Sequence, residues 1–193
     1  MSTLKELRTR ITSVKSTRKI TSAMKMVAAA KLRRAQEQAE AARPYAERME
    51  RVLGSLAANL KDRESAPPLL AGSGSDKTHL VVVASSDRGL CGGFNVNIVR
   101  SARQLISQLS AEGKEVKVLC VGRKGNDQLK REYGNHIVDT ITDVGKPKLE
   151  FTQADTIGHR ISVMFAESEF DVCTLIFAKF KSAITQEIMR MQL

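Results

Sequence analysis

The sequence predicts an α/β protein in which a long N-terminal coiled-coil helix precedes a Rossmann-like, mainly parallel sheet domain with helices on both faces. The first 60 residues are rich in helix-forming residues, 61–78 are rich in Pro, Gly and Ser, and short apolar runs alternate with amphipathic segments beyond them. Because alternating strands and helices are typical of parallel sheets, we expect a long basic helix over 1–60, a linker over 61–78 and an α/β domain over 79–193.

The first 60 residues predict one continuous helix. They are rich in Ala, Lys, Arg, Gln and Glu, which favour helices, and they contain no Gly before Gly54 and one Pro, Pro44. The first apolar residues have the 3-4-3 spacing of a coiled coil: Leu4, Leu7, Ile11 and Val14. Such a narrow apolar stripe needs at least one partner helix. We expect Pro44 to kink the helix or to lie where one lost hydrogen bond is tolerated.

The positive charge of the chain is concentrated in its first 36 residues. They hold ten basic residues and one acidic residue, Glu6, and therefore account for +9 of the net charge of +10. Such a segment favours an acidic partner, which leaves nucleic acid, anionic lipid and acidic protein loops as alternatives. A nucleic-acid-binding basic coiled coil is the main alternative, although the near-neutral remainder of the chain and an aromatic content of 4% count against it.

Beyond residue 78 the apolar pattern predicts four strands with helices between them. The strands are expected at 79–85, 116–122, 136–142 and 172–180. The helices are expected at about 95–111, 124–132 and 152–167. The last stretch, KSAITQEIMRMQL, fits a further strand or a strand with a turn.

The stretch SSDRGLCGGFN lies between a predicted strand and a predicted helix, where many enzymes bind phosphate. The spacing of Gly89, Gly92 and Gly93 matches neither GxGxxG nor GxxxxGK[ST], and no Lys follows. The stretch therefore predicts a structural turn and no bound cofactor. In it Asp87 bonds backbone N–H groups of the turn, Arg88 helps to fasten it, and the glycines permit a tight turn and close packing.

The three cysteines, Cys91, Cys120 and Cys173, lie far apart and form no CxxC motif. This pattern predicts neither a disulfide framework nor a zinc site, and it fits a reducing compartment. We expect Cys91 to be a small buried apolar residue rather than a nucleophile. The histidines show no metal-ligand spacing, and neither a membrane-spanning run nor a signal-peptide core is evident, which predicts a cytoplasmic protein.

Four segments closely resemble the gamma-subunit family of F-type ATP synthases. They are ITSVKSTRKITSAMKMVAAAKLRRAQ, RPYAE, SSDRGLCGGFN and FAKFKSAITQ, and they occur in the order found in that family. Members of the family continue into a second long helix, which forms an antiparallel coiled coil with the first. The sequence ends at Leu193 without it, so we expect a fragment or part of a longer protein.

The resemblance implies a non-catalytic central rotor shaft without cofactors. It would couple proton-driven rotation of the c ring to ATP synthesis or hydrolysis at the alpha and beta catalytic sites. The α/β domain would bind the epsilon subunit and the c ring. The subunit would lie at the cytoplasmic face of the bacterial inner membrane, peripheral to it, and contact the membrane only through the c ring.

The resemblance also implies two groups of interface residues on the long helix. The upper group would lie within the ring of alpha and beta subunits, with its last two members near acidic loops: Arg10, Lys15, Arg18, Lys19, Met24 and Lys25. The lower group would face the c ring and anionic lipid headgroups: Lys31, Arg33 and Arg34.

Overall fold

A single helix, α1 (Leu4–Asn59), forms the described part of the N-terminal unit. It begins with a reciprocal cap, in which the Thr3 N–H donates to Glu6 Oε2 at 2.9 Å and the Glu6 N–H donates to Thr3 Oγ1 at 3.3 Å. The helix continues through Pro44. The computed structural model describes residues 3–59, 66–146, 148–182 and 185–193 and divides the chain into two units, Met1–Arg63 and Glu64–Leu193. The predicted long helix is confirmed.

The surface of α1 is exposed along its whole length, and none of its residues from Leu4 to Asn59 is buried. Its apolar side chains are exposed both in the predicted stripe and in a second stripe with 4-3-4 spacing: Tyr45, Met49, Val52 and Leu56. Where the first stripe ends, threonine hydroxyls bond carbonyls four residues earlier, as Thr17 does to Ser13 and Thr21 does to Thr17. These threonine hydroxyls are thus hydrogen-bonded within the helix itself, whereas none of the apolar residues of α1 is buried.

The second unit contains every strand and helix that the sequence predicts. Its larger elements are β1 (Thr78–Ala84), α3 (Phe94–Ala111), β2 (Glu115–Val121), α4 (Arg123–Tyr133), β3 (Ile137–Ile141), α5 (Phe151–Ala166), β4 (Val172–Phe180) and β5 (Gln186–Gln192). A short helix, α2 (Pro68–Ala71), and a 3-10 turn, Gly134–His136, were not predicted. In the uncertain last stretch, 183–184 lie outside the described residues, and β5 shows that the remainder is a strand.

The five strands form one sheet in the order β3-β2-β1-β4-β5. All neighbours pair in parallel except β4 and β5, which are antiparallel. In the centre, Val81 of β1 lies opposite Val118 on one side and Thr174 on the other. The predicted mainly parallel sheet is confirmed.

Both faces of the sheet are covered by helices, as the sequence predicts. Successive residues of β1 point to opposite faces, so Val81 and Val83 pack with α3 and α4, whereas Leu80 and Val82 pack against α5. Residues Leu80 to Val83 are all buried, which explains why this strand is a continuous apolar run rather than an alternating one.

Part of the predicted linker is held to the start of β4. Within 61–78, residues 61–65 lie outside the described residues and 68–71 form α2. The Asp171 carboxylate accepts hydrogen bonds from the N–H groups of Lys77 and Thr78, both at 2.9 Å, and from the Ser73 hydroxyl. These hydrogen bonds stabilise the carboxylate and lower the pKa of Asp171 to about 2. The stretch leading into β1 is thus part of the α/β unit.

The loops that follow β1 and β2 approach each other so closely that two glycines are required. A Cβ atom at Gly122, where φ is +102°, would lie 2.3 Å from the Ser85 carbonyl oxygen. A Cβ at Gly125 would lie 2.7 Å from Ser85 Oγ, which also accepts the Gly125 N–H at 2.7 Å. The sequence GRKGN, which carries little weight as a phosphate motif, thus has a packing role.

Replacing Gly122 with Ala should destabilise the α/β unit by about 2 kcal/mol or more, because the methyl group meets a backbone carbonyl and φ is positive. Gly89→Ala is the matched control, since a Cβ there meets nothing within 4 Å, and it should change stability by less than about 0.5 kcal/mol. Urea unfolding of both variants measures the difference. Equal midpoints would contradict the close approach.

Candidate functional site

The predicted interface residues of the long helix are all exposed on α1. They are Arg10, Lys15, Arg18, Lys19, Met24, Lys25, Lys31, Arg33 and Arg34. Among the described residues, the only basic side chain of this segment in an ion pair is Arg33, whose Nε lies 2.9 Å from Glu37 Oε1. The single acidic residue, Glu6, caps the helix instead. Apart from Arg33, the basic side chains of residues 3–36 therefore have no acidic partner in the described part of this unit.

The basic residues interrupt the apolar stripe as well as surrounding it. Arg18 and Lys25 follow Leu4 and Ile11 at intervals of seven residues, which places them on nearly the same side of the helix. Arg10, directly before Ile11, is turned by about 100° from it, and Lys31, twenty residues after Ile11, lies on roughly the opposite side. The charge thus faces several directions. This pattern suits a helix that meets a partner on more than one side.

The glycine turn follows β1 and leads into α3, and the protein's own groups bind the start of α4, which lies beside this turn. At the start of α4, the Arg123 N–H donates to Asp87 Oδ1 at 2.9 Å, the Lys124 N–H to the Ser86 carbonyl at 3.0 Å, and the Gly125 N–H to Ser85 Oγ. These are the N–H groups that bind phosphate at a helix N-terminus. At the start of α4 they are already hydrogen-bonded to the Asp87 carboxylate, the Ser86 carbonyl and the Ser85 hydroxyl.

The predicted turn residues have different roles. Asp87 accepts backbone N–H groups of Arg123, at the start of α4, and of Asp143, in the loop after β3, rather than N–H groups of its own turn. Arg88 takes part through its backbone, whose N–H donates to Ser86 Oγ at 3.2 Å.

The three glycines of the turn differ in their surroundings. Gly92 has a φ of +59°. A Cβ at Gly93 would lie 3.1 Å from the side-chain nitrogen of Asn97, Nδ2, whereas a Cβ at Gly89 would have no neighbour within 4 Å.

Cys91 is exposed, so the expectation that it is buried is wrong. It follows Leu90, which has a φ of +57° and projects fully into solvent. Cys120 on β2 and Cys173 on β4 are buried on either side of β1, and burial raises the pKa of each thiol to about 12. Only Cys91 therefore presents an accessible thiol.

Asn95 organises the turn and was not identified from the sequence. It is buried, and its Oδ1 accepts the Ser86 N–H at 3.0 Å while its Nδ2 donates to the Arg88 carbonyl at 3.1 Å. A detectable signal existed, because Asn95 lies three and four residues before Ile98 and Val99 on the buried face of α3. A polar residue in such a position has a hydrogen-bonding role.

Within the described ranges, no group of three or more His, Cys, Asp or Glu side chains is arranged to hold a metal ion. Of the helices in the same ranges, none combines the length and the apolar character that a membrane crossing needs.

A solved structure shares the fold of this chain. A solved structure of the central stalk and c-ring of the mitochondrial ATP synthase from Tetrahymena thermophila contains a similar chain. The TM-score is 0.68 at 31% identity, over 90% of this chain and 71% of that chain. The class is that of chains in which a long helix precedes an α/β unit.

The family model described as ATP synthase matches residues 3–193. The ATP synthase gamma chain of Paramagnetospirillum magneticum is 55% identical over 192 residues, and that of Rhodospirillum rubrum is 55% identical over 193. Each match covers 100% of this chain, which spans only 65% and 64% of the two relatives. The chain belongs to the ATP synthase gamma-subunit family. These relatives give no support to the nucleic-acid alternative.

Removal of the buried side-chain amide of Asn95 should destabilise the turn. Asn95→Ala leaves the Ser86 N–H without its acceptor in a partly buried position, which should destabilise the α/β unit by about 1–3 kcal/mol. Asn97→Ala on the exposed side of α3 is the matched control and should have little effect. Urea unfolding compares the two. If the Asn95 variant is as stable as the control, Asn95 has no organising role.

The chain should bind neither ATP nor ADP, because its own side chains occupy the start of α4 and the glycine spacing is wrong. Titration calorimetry tests this expectation. One-to-one binding with a Kd below ~100 µM, about −5.5 kcal/mol, would contradict it.

Proposed function

We propose that this chain is part of the central rotor shaft of an F-type ATP synthase and has no active site of its own. It couples proton-driven rotation of the c ring to ATP synthesis or hydrolysis at the alpha and beta catalytic sites. The observation that carries this proposal is α1, a 56-residue helix that is exposed throughout and whose positive charge is largely unmatched. At 1.5 Å per residue this helix is about 84 Å long, a length that suits a shaft.

The chemistry of α1 supports acidic protein loops as its partner. An exposed ion pair is worth only about 0–1 kcal/mol and is screened by salt, so many such pairs hold a surface that can still move past its neighbour. The small side chains of the alanine-rich middle keep the helix slender. We assign the segment from Arg10 to Lys25 to the ring of alpha and beta subunits, with Met24 and Lys25 nearest to acidic loops.

The remaining assignments follow from membership of the family. Lys31, Arg33 and Arg34 would face the c ring and anionic headgroups, to which positive charge is attracted. The α/β unit, residues 79–193 with part of the preceding linker, would bind the epsilon subunit and the c ring. The subunit would then be peripheral, at the cytoplasmic face of a bacterial inner membrane.

The coupling role depends on a difference between rotational states. An asymmetric shaft presents a different side to each catalytic subunit and so favours a different conformation in each, which is a coupling free energy between distant sites. Electrostatic contacts contribute to coupling only if they differ between these states. Changing their sign should therefore affect coupling more than assembly.

Reversal of three charges tests this assignment. Arg18, Lys19 and Lys25 are changed together to Glu in the full-length subunit of the assembled complex. Turnover, or the number of protons pumped per ATP hydrolysed, should fall about two- to fivefold at low salt, the range that ~1 kcal/mol supplies. High salt should restore part of the loss by screening the new repulsion. Both quantities are measured in reconstituted vesicles.

A second triple variant is the matched control. Arg43, Arg48 and Arg51 are also exposed on α1, in a part of the helix where acidic residues are interspersed. Their change to Glu introduces the same charge, but it should leave proton pumping closer to that of the wild type. If the first triple variant assembles and equals the wild type at low salt, the basic segment is only a solvated surface.

A further inference from the structure

The loop after β1 presents an apolar residue in a conformation that needs support. Leu90 is fully exposed and has a φ of +57°, which a leucine seldom adopts. On its inner side the loop is held by Asn95, through Ser86 and Arg88. These bonds fix the shape of the turn. They do not determine how it lies relative to the other loops at this edge of the sheet.

Asp87 makes that second connection. Its Oδ1 accepts the Arg123 N–H at 2.9 Å, and its Oδ2 accepts the Asp143 N–H at 2.8 Å. These donors lie 36 and 56 residues further along the chain, at the start of α4 and in the loop that follows β3. Each carboxylate oxygen thus accepts one backbone N–H, and the two N–H groups belong to different segments of the chain. Such charge-assisted bonds are stronger than neutral ones, and the start of α4 favours a negative charge at this point.

We propose that Asp87 is a positioning residue that joins the turn after β1 to the start of α4 and to the loop after β3, so that these three segments form one rigid edge. It thereby fixes the direction in which the Leu90 turn projects. This inference deepens the proposed function, because a rotor that transmits force through a protruding turn loses work if the turn bends. Asp87 acts through backbone groups, so its effect is on the rigidity of the loops rather than on any bound molecule.

The chain provides its own probe for this rigidity. Cys91 is exposed immediately after Leu90, whereas Cys120 and Cys173 are buried. A nitroxide reagent should therefore label Cys91 selectively. The spectrum of the label reports how freely the turn moves. Amide hydrogen exchange at Arg123 and Asp143 reports the two bonds directly.

The variants are Asp87→Ala, which removes both acceptors, and Asp87→Asn, which keeps the shape and one acceptor oxygen. Asp155→Ala, at an exposed position of α5, is the control. In Asp87→Ala the amides of Arg123 and Asp143 should exchange about tenfold faster, and the label on Cys91 should give a narrower, more mobile spectrum. Asp87→Asn should be intermediate, and the control should match the wild type.

Two outcomes would overturn the proposal. Unchanged exchange and label mobility in Asp87→Ala would show that the loops do not depend on this carboxylate. Faster exchange that extends equally to β1, in both Asp87 variants, would assign Asp87 to the stability of the whole unit. The measurement uses the chain without other subunits. Its result is therefore independent of whether the charge-reversal experiment supports the rotor assignment.

Discussion

A helix of 56 residues that buries none of its own side chains is the constraint on which the account of this protein depends. Helices in proteins draw most of their stability from tertiary packing of an apolar side, yet the apolar stripes of α1 are exposed and its N-terminal positive charge is largely unmatched. Apolar stripes need helical partners, whereas unmatched positive charge needs an acidic one. Under the proposed function, the second long helix of the gamma-subunit family would be the apolar partner, and acidic loops of the surrounding subunits would meet the positive charge.

The α/β unit shows the complementary property at the start of α4, where the backbone N–H groups are bound by the protein's own groups. At the carboxyl edge of the sheet, where related folds bind ligands, Ser85, Ser86 and Asp87 bind the start of α4. The Asp87 carboxylate lies at the start of α4, where an anion could bind, and also accepts the Asp143 N–H in the loop after β3. One side chain thus connects three segments at this edge of the sheet.

The elements of the fold could be predicted because they follow from local patterns. Buried strands such as β1 are apolar runs, and the long helix is a stretch almost without Gly and Pro. The contacts of the turn could not be predicted from local patterns. The hydrogen-bond partners of Asp87 are 36 and 56 residues away and depend on which segments meet in space. The burial of Cys91 was predicted wrongly for a related reason, because the turn projects outward. Asn95 was detectable as a polar residue on a buried helix face but was overlooked.

Amide hydrogen exchange along α1 tests the central claim most directly, namely that this helix is stabilised by its partners. It is measured in the 193-residue chain alone and in the assembled complex. In the chain alone, the amides of α1 should exchange far faster than those of the buried strand β1, and assembly should slow their exchange. If α1 is as protected as β1 in the chain alone, the helix is stable without partners and the account is wrong.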